Sequence, residues 1–280
     1  MLVSTYLENY LERQAYRAST SRNYTKHIKQ LGFMQLDLDQ VTPKMIMDSC
    51  ARIDTYTVRR SALISCRAIF KEHLGLDHKK IPILPHVQKV YEFPTQDELH
   101  EMINRTKYRL QLLLCMYAGL RVGEACGIRK QDLIGNRLTI TRQVSQDGVI
   151  STAKTIGVVI IPSWLADEIH GTSGDLFPEG KGSLVVTHAC RNQSDRTGKQ
   201  MNPHLLRHWY CTTLINNGAN PEIVRRQMRH ANLNTTMRTY VQVKPSQILD
   251  SLPVVSEGQI GRLSRSIEAS LLDEPCSVMI

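Results

Sequence analysis

Four stretches of the 280-residue chain concentrate side chains that can hold an oxyanion or move a proton. They are GLRVGEA at 119–125, TAKTIGVVIIP at 152–162, HLLRH at 204–208 and RHANLNTTMRTY at 229–240. An arginine fork grips two oxygens of a phosphate or carboxylate at once. The longer run RRQMRHANLNTTMRTY, residues 225–240, sets four arginines, a histidine and several hydroxyls around a single tyrosine, Tyr240. A free phenol has a pKa of about 10, so only roughly one in a thousand is ionised at neutral pH. Nearby cations ease that ionisation. Singly, the pieces leave alternatives open. Arg121 fits an ordinary helix start, and Lys154 fits a solvated hairpin edge. His204 and His208, at i and i+4, have the spacing of a metal pair, but no third ligand of the HExxH kind accompanies them.

These residues must be positioned by a scaffold whose outline is legible in hydrophobic period and punctuation. The N-terminus places Val3, Leu7, Tyr10 and Leu11 at helical spacing and lacks the basic and apolar regions of a signal peptide. TSRNYTKHIKQLGF aligns Tyr24, Ile28 and Leu31 and ends at Gly32, and VTPKMIMDSCARI offers Thr42 as N-cap with Pro43 behind it. TYTVRRSALISCRAIFKEHLGL predicts a longer helix burying Val58, Ala62 and Ile69, with Arg59, Arg60, Arg67 and Lys71 on its other face. The proline-broken stretch LDHKKIPILPHVQKVYEFP reads as a linker. A second domain opens at the capping box Thr95–Glu98, followed by the apolar helix YRLQLLLCMYAGL. NRLTITRQV, DGVISTAK and TIGVVIIP read as three short antiparallel strands, and residues 171–200 as loops around SLVVTH. NPHLLRHWYCTTLINNG and NPEIVRRQM each begin with Asn as cap and Pro at the first position. The fold class expected is mainly α with a small antiparallel β-sheet, in two domains.

Charge and cysteine usage narrow the setting. Residues 1–90 carry 14 Lys+Arg against 8 acids, residues 91–240 carry 18 against 13, and the last forty carry 3 against 5. A basic body with an acidic tail fits either a solvated surface or a polyanionic partner. Seven dispersed cysteines without a CxxC pair argue for free thiols in a reducing cytoplasm rather than a disulfide or zinc framework. No stretch approaches the roughly 20 apolar residues of a membrane span.

In this order and with these neighbours, the motifs resemble those of the tyrosine site-specific recombinases, the phage-integrase family. GLRVGE matches the family's first arginine motif at Arg121, with its acidic partner at Glu124. AKTIGVVIIP matches the hairpin lysine at Lys154, and HLLRH the His-x-x-Arg box at His204 and Arg207. His230 and Tyr240 match the third basic position and the nucleophile. The resemblance covers the chain except its tail. It implies a helical, four-helix core-binding domain over 1–80, a linker over 81–94, a catalytic domain over 95–244, and a tail over 245–280 with a short helix.

That resemblance also implies roles. Tyr240 would attack a DNA phosphate, giving a 3′-phosphotyrosyl link and a free 5′-hydroxyl, with no metal, nucleotide or other cofactor. Arg121 and Arg207 would neutralise the phosphate, Lys154 would protonate the leaving oxygen, and His204 and His230 would donate to the non-bridging oxygens or handle protons. Glu124 would buttress Arg121, while Arg59, Arg60, Arg67 and Lys71 would track DNA phosphates. Arg225, Arg226 and Arg229 are expected to contact the DNA backbone or face solvent. The partners implied are double-stranded DNA with a specific core site and a homo-tetramer assembled on it, with no membrane involved. The cell compartment implied is the cytoplasm, at the nucleoid or in a phage host. Alternatives are a catalytically silent DNA-binding regulator on the same scaffold and a type IB topoisomerase. One departure stands out: where the family has Leu-Gly-His, this chain has Met228-Arg229-His230. The stripe Ile260, Leu263, Ile267 and Leu271 suggests a tail helix, for which trans docking on a neighbouring protomer is hypothesised and docking in cis stays open.

Overall fold

A computed structural model describes residues 1–75, 81–87 and 91–232. The chain divides into two units, Met1–Gln88 and Lys89–Ile280. The first contains, among its described residues, four α-helices: α1 (Val3–Gln14), α2 (Ala18–Gln30), α3 (Pro43–Ala51) and α4 (Tyr56–Ile69). Their apolar stripes meet in a core that fully buries Leu7, Ile28, Ile46, Leu63, Ile69 and Phe70. Helix α3 starts where its punctuation predicts, with the Thr42 hydroxyl accepting the Met45 N–H at 3.2 Å. On α4, Arg59 donates through Nε and Nη2 to the Ile53 carbonyl at 2.8 and 2.7 Å. Arg60 donates through Nε to the Leu84 carbonyl at 2.8 Å. Arg67 is half-buried on the same helix, and Lys71 is exposed just past its end.

The second unit opens with α5 (Gln96–Asn104), where the Thr95 hydroxyl and Glu98 carboxylate each accept the other's backbone N–H. Helix α6 (Arg109–Tyr117) is buried from Leu110 through Met116, including Gln111, and so forms the centre of the domain. After α7 (Val122–Gly127) come three antiparallel strands in the order β1 (Leu133–Ile134), β2 (Arg137–Val144) and β3 (Ile150–Ile160). Four helices follow among the described residues: α8 (Ser163–Gly171), α9 (Leu184–Thr197), α10 (Pro203–Asn216) and α11 (Pro221–Met228). Helix α10 packs on α6, α7 on β2, and α11 on both α10 and β3.

Two expectations are corrected. DGVISTAK and TIGVVIIP are one strand, β3, interrupted by a bulge. Ile140 pairs with Gly157 and Arg142 with Thr152, so residues 153–156 face the single residue Thr141. Residues 184–197, expected as loop around an apolar run, are helical. Val186, Cys190 and Gln193 form a narrow buried stripe, and Gly198 stops the helix at φ 69°. The β2–β3 turn is held by the loop before α9. Ser183 donates its backbone N–H to the Ser145 carbonyl at 2.8 Å. A Cβ on Gly182 would sit 1.8 Å from the Gln146 carbonyl oxygen, so this approach needs glycine.

Candidate active site

Arg121 is the N-cap of α7, and three residues later Glu124 lies in its first turn. The Glu124 carboxylate accepts the Arg121 backbone N–H at 2.9 Å and the Arg121 Nη1 at 2.9 Å. Glu124 is fully buried, whereas the Arg121 side chain keeps 37% of its surface exposed. The carboxylate therefore works from behind and leaves the guanidinium facing outward. Burial alone would raise the Glu124 pKa. Arg229, the Arg121 N–H and the Arg121 guanidinium outweigh it and hold the carboxyl below the ordinary range.

Helix α10 supplies the second arginine. Asn202 caps it by accepting the Leu205 N–H at 2.8 Å, with Pro203 at the first position, so His204 and Arg207 fall in and just after the first turn. Arg207 is buried, donating to the Gly119 carbonyl and, at 2.5 Å, to the Met228 carbonyl. Burial and the charge of Arg121 push its pKa down to about 10, and it remains cationic at neutral pH. Arg121 and Arg207 lie 86 residues apart in sequence. Folding joins them through Gly119, two residues before Arg121, whose carbonyl holds Arg207.

Gly119 has φ 64°, and a Cβ there would lie 2.7 Å from Met228 Sδ and 2.8 Å from the Tyr210 ring. Gly119→Ala should lower stability by roughly 1–2 kcal/mol from the left-handed backbone alone, plus the cost of moving the Tyr210 ring. Thermal melts of full-length protein check this, and an unchanged melting temperature would refute it.

His230 follows α11 and is fixed at both ends of its peptide. Its N–H donates to the Arg225 carbonyl at 3.0 Å, and its carbonyl accepts from Arg225 Nη1 at 2.9 Å. Burial, then Arg207 and Arg121, push its pKa down to about 4, so the imidazole is neutral at pH 7 and able to accept a proton. His204 is exposed, its Nε2 2.9 Å from Nε2 of His208, and the His208 ring stacks on Tyr91 at 4.5 Å. Lys154 is exposed on β3, within the bulge. Tyr240 and the proposed tail helix lie outside the described residues. Arg59, Arg60, Arg67 and Lys71 belong to the other unit.

The structure thus gathers Arg121, Glu124, Arg207 and His230 into one cluster. It also adds Arg229, which the sequence places on the DNA backbone or in solvent. Arg229 is buried, with its guanidinium paired to Glu124. It keeps the left-handed turn that usually belongs to glycine, at φ 50° and ψ 46°, a conformation costing a non-glycine residue roughly 1–2 kcal/mol. Arg225 and Arg226 pair with Glu222 at 2.7 and 2.9 Å, Arg225 half-buried and Arg226 exposed. The sequence signal for Arg229 is its presence where the family has glycine.

In a mainly helical domain with a three-stranded antiparallel sheet, two arginines meet at a helix start with a neutral histidine beside them, an arrangement able to hold an oxyanion. The model of the phage integrase family matches residues 92–247, more than half the chain, and the protein belongs to that family, the tyrosine recombinases. The chain is 27% identical to the tyrosine recombinase XerA of Thermococcus kodakarensis over 254 residues, covering 82% of this chain and 86% of that one. It is 30% identical to a tyrosine recombinase of Pseudothermotoga lettingae over 189 residues, covering 62% and 61%. Among solved structures, the Tn1549 transposon integrase in complex with circular intermediate DNA superposes with a TM-score of 0.71 at 17% identity, over 94% of this chain and 100% of that one. A lambda integrase dimer bound to a COC′ core site gives 0.66 at 16% identity, over 92% and 100%. Among the described residues no helix is long and apolar enough to cross a membrane.

Proposed function

We propose that this recombinase cuts and rejoins duplex DNA at a specific core site through a 3′-phosphotyrosyl intermediate on Tyr240, without metal or ATP. The observation that carries this reading is the convergence of Arg121 and Arg207 through Gly119, with His230 kept neutral beside them. Attack forms a bond from the phenolic oxygen to phosphorus. The bond from phosphorus to the 5′ oxygen breaks, and its electron pair leaves with that oxygen. His230 takes the phenolic proton, and Lys154 on its exposed bulge supplies the proton that the 5′ oxygen needs. The two arginines bear the charge that builds on the non-bridging oxygens. Because the phosphotyrosyl bond conserves the energy of the diester, a 5′-hydroxyl can reverse the step on the same or another strand. The chain's first unit, with Arg59, Arg60, Arg67 and Lys71, would hold the duplex. Four protomers would synapse two sites, with the tail docking on a neighbour.

The test is a nicked suicide duplex carrying the sequence that flanks the gene, incubated with full-length protein in EDTA. The expected product is a covalent protein–DNA adduct that maps to Tyr240 and is absent from Tyr240→Phe, which still binds. Binding without any adduct would favour the silent regulator instead.

A further inference from the structure

The ion pair of Arg121 and Glu124 is not closed. Glu124 gives Oε1 to Arg121 and Oε2 to Arg229. Two guanidiniums share this carboxylate, Arg207 lies close enough to feel the charges of all three groups, and the neighbouring His230 is neutral. Among the described residues neither Nε nor Nη1 of Arg229 finds an acceptor, although both are buried. A buried cation with unfilled donors is costly to the fold. Its field reaches the site: the charge of Arg229 depresses the proton affinity of both Arg207 and His230.

The fold makes room for this side chain. Gly157 of β3 lies against it, and a Cβ there would sit 3.1 Å from the Arg229 Cδ. Two positions earlier on α11, Gln227 clasps the same strand, accepting the Ile160 N–H at 3.1 Å and donating to the Ile160 carbonyl at 2.7 Å. An arginine in a glycine's conformation and a glycine in the strand that receives it are two halves of one arrangement.

We propose that Arg229 is a charge-setting and positioning residue of the site. By dividing the Glu124 carboxylate with Arg121, it leaves the arginine cluster two positive charges in excess instead of one, which favours the more highly charged transition state over the substrate. The inference rests on the function proposed above. A phosphodiester carries one negative charge. When a phenolate adds to it, the five-coordinate phosphorus centre carries two, shared among its oxygens. With Arg229 absent, a single carboxylate against two arginines would leave the arginine cluster an excess of only one. Interactions that strengthen only as charge develops accelerate the reaction without tightening binding. Arg229 touches neither reactant in this scheme and acts through Glu124 and through its field.

The test compares Arg229→Gln with Arg229→Lys in the full-length protein, on the same nicked duplex. Wild type must first form the adduct; if it does not, the functional reading itself fails and this inference with it. Given that adduct, Arg229→Gln should cleave about 30- to 100-fold more slowly in a single turnover, with DNA affinity within about threefold of wild type. Arg229→Lys, which keeps the charge, should recover to within about tenfold. Cleavage by Arg229→Gln at near wild-type rate overturns the proposal. So does equal loss in Gln and Lys, which would mean shape alone, or a loss confined to affinity. Should the Gln variant not fold, Arg229→Gly suits the φ of 50° and takes its place, with the same outcomes deciding.

Discussion

Arg207→Ala should reduce strand cleavage by about three orders of magnitude while changing DNA affinity less than about tenfold. Loss of one pre-aimed donor from an oxyanion site typically costs about 10²- to 10³-fold, and this arginine supplies a full charge as well. Its donors are already aligned before any substrate arrives, because the carbonyls of Gly119 and Met228 hold it from two directions. No reorganisation is then needed when charge develops on phosphorus. Arg207→Lys keeps the charge but not the fork, and should fall between wild type and alanine. The same contacts make Arg207 structural, since removing it leaves two buried carbonyls without that partner, at about 1–3 kcal/mol each. Quantifying bound and covalently trapped DNA in parallel separates the two roles. A variant that binds normally and cleaves at the wild-type rate would remove Arg207 from the chemistry.

Glu124→Ala should strongly destabilise the catalytic unit. It strips the carboxylate from between two guanidiniums, one of them Arg229 with only 3% of its side chain exposed. Breaking a buried ion pair from one side costs about 3–5 kcal/mol, because an uncompensated charge stays behind. Both tryptophans, Trp164 and Trp209, lie in this unit, so their fluorescence reports its unfolding. A pH dependence accompanies the loss. The folded carboxyl is held below its unfolded value of about 4.3, so the stability it adds is complete above that value. It fades as pH falls through the lower, folded pKa. Glu124→Gln should remove this acid-side component along with much of the stability. If wild type and Glu124→Gln lose stability in parallel between about pH 4.5 and 2, the linkage to this carboxyl is wrong.

What the sequence made legible follows the range of the forces involved. Helix starts at Thr42, Thr95, Asn202 and Asn220 were readable because each cap acts within three residues of itself. Helix α9 was not. Its opening Leu184-Val185-Val186 suits a strand as well as a helix, and the stripe that decides is only a few residues wide. Strand β3 reads as two runs because residues 150–152 are all exposed, and the bulge after them is set by its pairing with β2, which nothing local announces. The arginines at 121 and 207 could be recognised by their motifs, but the carbonyl of Gly119 that joins them could not. In the sequence Arg229 reads as a cation on the DNA backbone or in solvent, since nothing local to it announces a carboxylate arriving from 105 residues away. Local chemistry told where the elements begin, while the cluster itself exists only once α7, α10 and α11 have met.

The β2–β3 ribbon has a mechanical consequence. It is fastened at its tip, where Gly182 lies flush against Gln146, and at its base, where Gln227 grips Ile160. Between these anchorages the pairing on both sides is regular, and all the surplus length is stored in four residues set against one. At about 3.3 Å of rise per residue, that is roughly 10 Å of spare contour beyond what the opposite strand uses. Lys154 rides on that slack. Its reach is therefore governed by the loop of spare chain beneath it and not by a swing of the ribbon as a whole. Shortening the bulge by one or two residues would shift the ammonium while leaving both fastenings as they are.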